Sequence, residues 1–238
     1  MTEVSACIAT RGDVDMSPIL DSLPEGWEVI IWNNGLGLVG TWRPGEQIDD
    51  IEVGDLGPHG RFAAIEYASH DLILVQDDDV IISDPQAIVD AWVHWRENFG
   101  INIPYLDENP DEDPLTSEER EFLAENVQIS HVVCNMPPEF RVHYPDSAMV
   151  GFGACFQRDA PEKAFQRFFA YTGMARDDPL FLRESCRIFT TLTLRVLVDV
   201  LKTDMPYASD PERLWKQRDH LHYRERALKM AREVRDHE

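Results

Sequence analysis

The chain has 238 residues, 43% of them hydrophobic, a composition typical of a soluble globular protein with room for one large core. Its 22 Lys and Arg residues stand against 44 Asp and Glu residues, which gives a formal net charge of -22. That charge repels phosphate backbones and anionic lipids, so it argues against nucleic acid as a partner. The four cysteines are widely spaced, and no apolar run approaches the length of a membrane span. We therefore expect a soluble cytoplasmic protein with reduced thiols and no membrane partner.

Apolar segments alternate with amphipathic ones along the first part of the chain. The predicted elements are a strand at 4–10, a helix at 17–23, a strand at 27–32, a helix at 61–69, a strand at 71–75 and a helix at 85–98 with Asp84 as its N-cap. A Gly-, Pro- and Asp-rich stretch at 35–60 separates the second strand from the next helix. This alternation predicts an α/β fold, a mainly parallel sheet flanked by helices in a single domain. In such folds ligands bind at the carboxyl ends of the strands.

The second part of the chain is less regular. Its predicted elements are strands at 127–134 and 149–156, helices at 162–171 and 181–201, and a charged amphipathic helix at 211–238. The helix at 181–201 is rich in β-branched residues, which favours a break within it.

Two segments match known ligand-binding motifs, but residues within or beside each segment argue against that function. Residues 35–40 spell a literal GxGxxG after a predicted strand, but Pro44 follows closely and prevents the helix that a dinucleotide-binding fingerprint requires. A flexible loop is therefore expected there. Residues 107–118 match the oxygen positions of a calcium loop, yet Glu112 stands where the sharp turn requires glycine. We interpret that segment as a solvated acidic loop.

Three consecutive aspartates, Asp77, Asp78 and Asp79, interrupt an apolar run that extends from Leu72 to Ile82. Carboxylates clustered at the end of a buried strand repel one another and lose hydration, which is costly unless a cation or hydrogen bonds compensate. In an extended chain the first and third aspartates point to the same side, so both can address one ion. Hard oxygen ligands select magnesium, manganese or calcium. The sequence thus favours a divalent metal site, and a solvated turn with helix capping is the alternative.

Around these aspartates the sequence resembles the soluble, family 2-like GT-A glycosyltransferases. In that family a Rossmann-like sheet ends a strand in an Asp-x-Asp (DXD) motif, which holds the diphosphate of a nucleotide sugar through a divalent cation. The resemblance is strongest over residues 4–82, where Thr10-Arg11 closes the first strand, Asn33-Asn34-Gly35 closes the second, and Gly60-Arg61-Phe62 opens the helix before the motif. It implies a GT-A fold and bound Mn2+ or Mg2+. The nucleotide-sugar ligands that it implies are Thr10, Arg11, Asn33, Arg61, Asp77 and Asp78, and the metal ligands are Asp77 and Asp79.

Further matches lie later in the chain. Gly151 to Phe156 resembles the glycine-bearing strand on the acceptor side, and Asp177-Asp178 resembles the acidic pair that heads a helix in inverting members. The resemblance implies a catalytic role for this pair, with Asp178 or Asp177 as general base on the acceptor hydroxyl. A C-terminal histidine often completes the metal site in the family. His220, expected in a loop just before the tail helix, is the better candidate, with His222 in reserve.

These matches imply a metal-dependent and inverting glycosyltransferase, with 1–82 as the nucleotide-sugar-binding half, 83–210 as the acceptor-side half and 211–238 as a C-terminal helix. The donor is expected to be UDP- or GDP-linked; Asn33 stands where many relatives carry an aspartate against uracil, which leaves the base open. The acceptor also stays open, and a modified DNA base is disfavoured by the charge. Two alternatives remain. They are a non-catalytic sugar-nucleotide or cation-binding module and a nucleotidyltransferase, which the absence of a Gly-rich phosphate loop after the first strand disfavours.

Overall fold

The computed structural model of the chain describes residues 2–43, 46–95, 99–102, 150–193, 195–198, 203–204 and 219–237. The acidic loop at 107–118 and the strand predicted at 127–134 lie outside these residues. The helix predicted at 211–238 is described from residue 219 onward.

The described strands form two sheets. They are Ser5–Thr10 (β1), Glu28–Asn33 (β2), Leu38–Arg43 (β3), Glu46–Glu52 (β4), Leu72–Asp77 (β5), Ile81–Ile82 (β6), Phe99–Asn102 (β7), Ala154–Gln157 (β8), Arg195–Val198 (β9) and Thr203–Asp204 (β10). The larger sheet has the order β4-β3-β2-β1-β5-β8-β7-β9, and the smaller sheet pairs β10 with β6. β1 runs parallel to β2 and β5, and β7 runs parallel to β9. The other pairs are antiparallel, so the large sheet is mixed, with a parallel centre.

Helices pack around the larger sheet. The described α-helices are Ser17–Ser22 (α1), Gly60–Ala63 (α2), Pro85–Trp95 (α3), Ala160–Thr172 (α4), Pro179–Leu192 (α5) and His220–Arg235 (α6). Short 3-10 turns at Gly57–His59 and Ala64–Tyr67 flank α2, and a third at Val150–Phe152 precedes β8. None of the described helices is both long and apolar enough to cross a bilayer.

β1 forms the centre of the fold, and all six of its residues are buried. A central parallel strand is covered on both faces, which explains its nearly continuous apolar sequence. Its side chains divide between two cores, with Cys7 packed on the side of Phe62 and Ile8 on the side of Ile88. The predicted fold class, an α/β sheet flanked by helices, is confirmed.

No strand is predicted within 35–60, yet β3 and β4 form an antiparallel hairpin that extends the sheet beyond β2. The loop expected at 35–40 ends at Gly37, because β3 begins at Leu38. Gly40 in β3 and the acidic sequence of β4, EQIDDIE, obscure the apolar alternation by which a strand is recognised. The rejection of a dinucleotide fingerprint at 35–40 is confirmed, since the turn there leads into a strand and not into a helix.

Three predicted boundaries in the second half also change. α5 ends at Leu192 and β9 follows, so the helix predicted over 181–201 is wrong at 195–198. Val196 and Val198 are β-branched, and such residues favour strands. The strand predicted at 149–156 begins only at Ala154, after a 3-10 turn. The expectation that His220 lies in a loop is wrong, because it is the first residue of α6.

Candidate functional site

The carboxyl ends of β1, β2 and β5 meet at one edge of the sheet. Thr10 lies opposite Asn33 in the strand register, and Ala9 lies opposite Asp77. β1 has β2 on one side and β5 on the other, so the chain reverses its direction of winding at this edge. Such a topological switch point forms the ligand crevice of open α/β sheets. Three of the residues predicted from sequence therefore lie at the level where a ligand binds.

The loops that follow β1 and β2 pack closely together. Thr10 Oγ1 accepts a hydrogen bond from Gly12 N at 2.9 Å. A Cβ on Gly12 would lie 2.8 Å from Asn33 Oδ1, and one on Gly35 would lie 2.0 Å from the Arg11 carbonyl oxygen. The two glycines therefore permit an approach that larger residues would prevent. They bring Thr10, Arg11 and Asn33 together at the switch point.

Asn34 connects this edge to the segment that leads into α2. Its Nδ2 donates to the Gly57 carbonyl oxygen at 3.0 Å, and its Oδ1 accepts a hydrogen bond from Leu56 N at 2.9 Å. These bonds fix the 3-10 turn before α2, in which the Pro58 carbonyl oxygen accepts a 3.0 Å hydrogen bond from Arg61 Nε. The Asn-Asn-Gly sequence predicted a turn, but it gave no indication of this connection.

Arg61 and Asp77 form an ion pair in which the arginine side chain is buried and the aspartate side chain is partly exposed. Arg61 Nη1 lies 2.5 Å from Asp77 Oδ1, and the two side chains are 7% and 37% exposed. Burial by itself would lower the pKa of Arg61, but the Asp77 carboxylate, with Cys186 and Asp78 nearby, raises that pKa above its usual value. The guanidinium is therefore a fixed positive charge behind a carboxylate that remains accessible.

The aspartate run forms a tight turn after β5. Asp77 ends the strand, whereas Asp78 and Asp79 lie in the turn before β6 and are each 6% exposed. Gln76, which is fully buried, donates from Nε2 to the Val80 carbonyl oxygen at 3.2 Å and so spans the turn. Burial of two of the three carboxylates disfavours the alternative of a solvated turn.

Metal binding at this run can be judged from the donors present. Among the described residues, no three His, Cys, Asp or Glu side chains are grouped to hold a metal ion. Magnesium, however, is commonly held by one or two carboxylates together with water and substrate phosphates, and not by a complete protein cage. Asp77 and Asp79 are donors of that kind. The donor set therefore fits a hard divalent cation that arrives with a phosphate ligand.

The acidic pair predicted as catalytic lies at the start of α5. Asp178 is the N-cap, and its Oδ1 accepts a 2.8 Å hydrogen bond from the amide two residues later. Asp177 is exposed. Farther along α5, burial raises the pKa of Cys186 to about 11, and the charges of Arg61 and Asp77 also act on it.

His220 packs against α5 from the first turn of α6. Its Nε2 lies 2.5 Å from Arg224 Nη2, and its Nδ1 lies 3.3 Å from Glu184 Oε1. Burial, followed by the charges of nearby arginines, lowers the pKa of His220 to about 4, so the ring is neutral at pH 7. Both ring nitrogens face protein side chains, and metal ligation would require one of them to be released. His222 is exposed.

Glu184 is a buried acidic residue that the sequence interpretation missed. It is 2% exposed, and its φ of -117° and ψ of 15° interrupt the regular geometry of α5. Burial raises its pKa to about 7, against the opposing effect of three neighbouring arginines. A signal was available, because Glu184 falls between Leu180 and Ile188 on one apolar face of a helix. An acidic residue in such a stripe indicates a buried polar contact.

A cavity of about 660 Å³ opens between α2 and α4, lined among others by Phe62, Phe165 and Arg176. Asp71, which directly precedes β5, also lines it. Because a strand rises about 3.3 Å per residue, Asp71 lies about 20 Å from Asp77. The cavity thus extends to the amino end of β5, away from the switch point, and nothing in the sequence predicted it.

No family model and no curated protein matches the sequence. Solved structures similar to the chain include those of S. aureus TarS residues 1–349 with UDP (12% identity, TM-score 0.43) and with UDP-GlcNAc (11%, 0.41), and one of TarS (13%, 0.43). The likeness covers 84% of this chain each time, but only 59%, 57% and 36% of those chains. The chain therefore spans less than two thirds of their length. A likeness of this strength supports no conclusion about activity.

Proposed function

We propose that the chain is a glycosyltransferase that uses a nucleoside-diphosphate sugar. The observation that carries the proposal is the aspartate run at the switch point, with Asp77 in register beside β1 and the buried Arg61 behind it. Crevices of this topology bind nucleotides. Carboxylates that attract a hard cation are suited to a diphosphate, which brings oxygen ligands of its own. The sequence resemblance to the GT-A family supports the same function.

In this proposal the donor lies across the carboxyl edge of the sheet. Thr10, Arg11 and Asn33, at the ends of β1 and β2, contact the nucleoside, and Asp77 with Asp78 contacts the sugar diphosphate. Arg61 is 7% exposed on its side chain, so it acts on the donor by holding Asp77 and not by reaching the ligand through solvent. The donor is UDP- or GDP-linked.

Asp77 and Asp79 are the proposed ligands of Mn2+ or Mg2+, and His220 is a further ligand if Arg224 releases its Nε2. When bound, such a cation neutralises the charge that develops on the leaving diphosphate. The carboxylates do not depend on His220, since a substrate phosphate and water can complete the coordination.

For an inverting transfer, Asp178 or Asp177 is the proposed general base on the acceptor hydroxyl. The cap of α5 uses Oδ1 of Asp178, and a carboxylate has a second oxygen that can take a proton. This role requires the reacting hydroxyl to approach the amino end of α5. A retaining mechanism, which needs no such base, is the alternative.

A thermal-shift panel tests the donor assignment. Nucleoside diphosphates and their sugars are added with and without Mn2+, because a ligand that binds the folded state raises the melting temperature in proportion to RT ln(1 + [L]/Kd). We expect a metal-dependent rise with a uridine or guanosine diphosphate. No rise with any nucleotide would contradict the proposal.

Turnover separates the proposal from its alternatives. Slow hydrolysis of a nucleotide sugar is expected from a transferase that lacks its acceptor, whereas a non-catalytic binding module produces none. Release of pyrophosphate instead would indicate a nucleotidyltransferase. Tight binding of duplex DNA at low salt would favour a modified DNA base as the acceptor, in spite of the charge of -22.

A further inference from the structure

Gly151 lies where its neighbour Asp77 leaves no room for a side chain. It is part of the 3-10 turn before β8, and an ideal Cβ built on it would fall 1.8 Å from Asp77 Oδ2 and 2.4 Å from Asp77 Cγ. Real Cβ atoms essentially never approach other atoms this closely. The Asp77 carboxylate therefore occupies the space that any side chain at position 151 would need.

The carboxylate is confined on two sides. Its Oδ1 lies 2.5 Å from Arg61 Nη1, and its Oδ2 faces the backbone of Gly151. Gly151 is buried, and it is not among the described glycines with positive φ. Its backbone conformation is thus open to any residue, and glycine is needed here for space alone.

We propose that Gly151 is the positioning residue for Asp77. Because Gly151 has no side chain, the Asp77 carboxylate can lie in the position from which it contacts the donor. The consequence for donor affinity rests on the proposed function, whereas the contact itself does not. A methyl group at 151 would displace Asp77 away from the turn and from Arg61. The buried guanidinium would then lose its counter-charge, which is strongly destabilising.

A mutational cycle measured by thermal unfolding of the full chain tests this contact. Gly151→Ala is made in the wild-type chain and in a chain carrying Arg61→Met and Asp77→Ala, where the pair is removed and no charge is left buried alone. In the wild-type chain we expect the melting temperature to fall by about 5 °C or more, because a buried ion pair is broken. In the second background the methyl group meets no carboxylate, so we expect a fall of less than about 2 °C.

Gly54→Ala is the matched control, because a Cβ on Gly54 meets nothing within 4 Å. It should leave the melting temperature unchanged in both backgrounds. An equal fall in melting temperature for Gly151→Ala in both backgrounds would overturn the inference, since glycine would then be needed for a reason other than Asp77. An unchanged melting temperature for Gly151→Ala in the wild-type chain would overturn it too. If Gly151→Ala alone does not fold, a folded triple variant supports the inference and an unfolded triple variant overturns it.

Kinetics test the positioning role separately. Gly151→Ala is expected to raise KM for the nucleotide sugar about 10-fold or more, with a smaller change in kcat, because it misplaces a binding group. An unchanged KM would overturn the positioning role. If the wild-type chain shows no transfer, the proposed function fails, while the unfolding cycle still decides whether Gly151 and Asp77 share one space.

Discussion

Arg61 Nη1 and Asp77 Oδ1 lie 2.5 Å apart, yet the arginine side chain is 7% exposed and the aspartate side chain 37%. Removal of the two partners should therefore lower the free energy of unfolding by different amounts, because an unpaired charge costs more in the interior than near water. Asp77→Ala strands the buried guanidinium and is expected to lower the free energy of unfolding by about 3 kcal/mol. Arg61→Met leaves a partly exposed carboxylate and should cost about 1 kcal/mol. Urea unfolding of both variants measures the difference, and equal losses would contradict it.

Asp79 tests the metal assignment. Asp79→Asn keeps the shape of the side chain and removes its charge, so we expect the Mn2+-dependent part of nucleotide binding to be lost in calorimetric titration. Asp90→Asn on α3 is the control, because Asp90 is exposed and its Oδ1 accepts a hydrogen bond from Gln86 in the same helix. Turnover of Asp79→Asn at the wild-type rate would make the aspartate run a structural turn.

Asp178 tests the chemistry. Asparagine caps a helix about as well as aspartate, so Asp178→Asn should leave the melting temperature and the donor affinity nearly unchanged. If Asp178 is the general base, the transfer rate should nevertheless fall by about 100-fold or more. Asp177→Asn is the matched comparison. If both variants transfer sugar at the wild-type rate, neither aspartate is the general base, and a retaining mechanism is favoured.

His220 distinguishes a metal ligand from a packing residue. If it binds the metal, His220→Ala should weaken Mn2+-dependent donor binding, and a high Mn2+ concentration should partly restore the rate. If it serves only the contact of α6 with α5, the variant should melt at a lower temperature, and Mn2+ should restore nothing. Rate measurements over a Mn2+ titration, read beside the melting curves, separate the two outcomes.

His59 should make the protein sensitive to acid. Its ring packs against Phe181 with centroids 4.8 Å apart, and burial, then the charges of Arg176 and Arg61, lowers its pKa from 6.5 to about 4. The unfolded chain takes up the proton first as the pH falls, so stability that is present above pH 6.5 is lost as the pH falls towards 4.

The expected loss from His59 between neutral pH and pH 5 is about 2 kcal/mol. His59→Phe removes the titrating group and keeps an aromatic ring in the cluster, so it should reduce the difference in unfolding free energy between the two pH values by about that amount. An unaltered pH dependence in His59→Phe would contradict the assignment.

The carboxyl edge of the sheet was predictable because buried central strands are nearly continuous apolar runs. β1, β2 and β5 have that pattern, and each ends where polar residues begin, which located Thr10, Asn33 and Asp77. Parallel pairing then brought their ends to one level. The partner of Asp77 was not predictable as an ion pair, since the face that a short helix turns inward depends on packing that no periodicity in four residues reveals.

Sequence reasoning failed where long-range contacts decide the local structure. The role of Gly151 depends on a carboxylate more than seventy positions earlier in the chain. β3 and β4 lack apolar alternation, and pairing with β2 and with each other makes them strands. Glu184 interrupts α5 while it contacts His220, and that contact exists only because α6 packs beside α5.

β4 is an outer strand of the larger sheet within the described part of the chain, and four of its seven residues are acidic. An unpaired strand edge is a template for self-association, and Ile51 there is 45% exposed. The acidic sequence of β4 opposes such pairing of two copies, because like charges on paired strands repel one another. Salt screens repulsion between like charges at a protein surface, so high ionic strength should favour self-association through this hairpin.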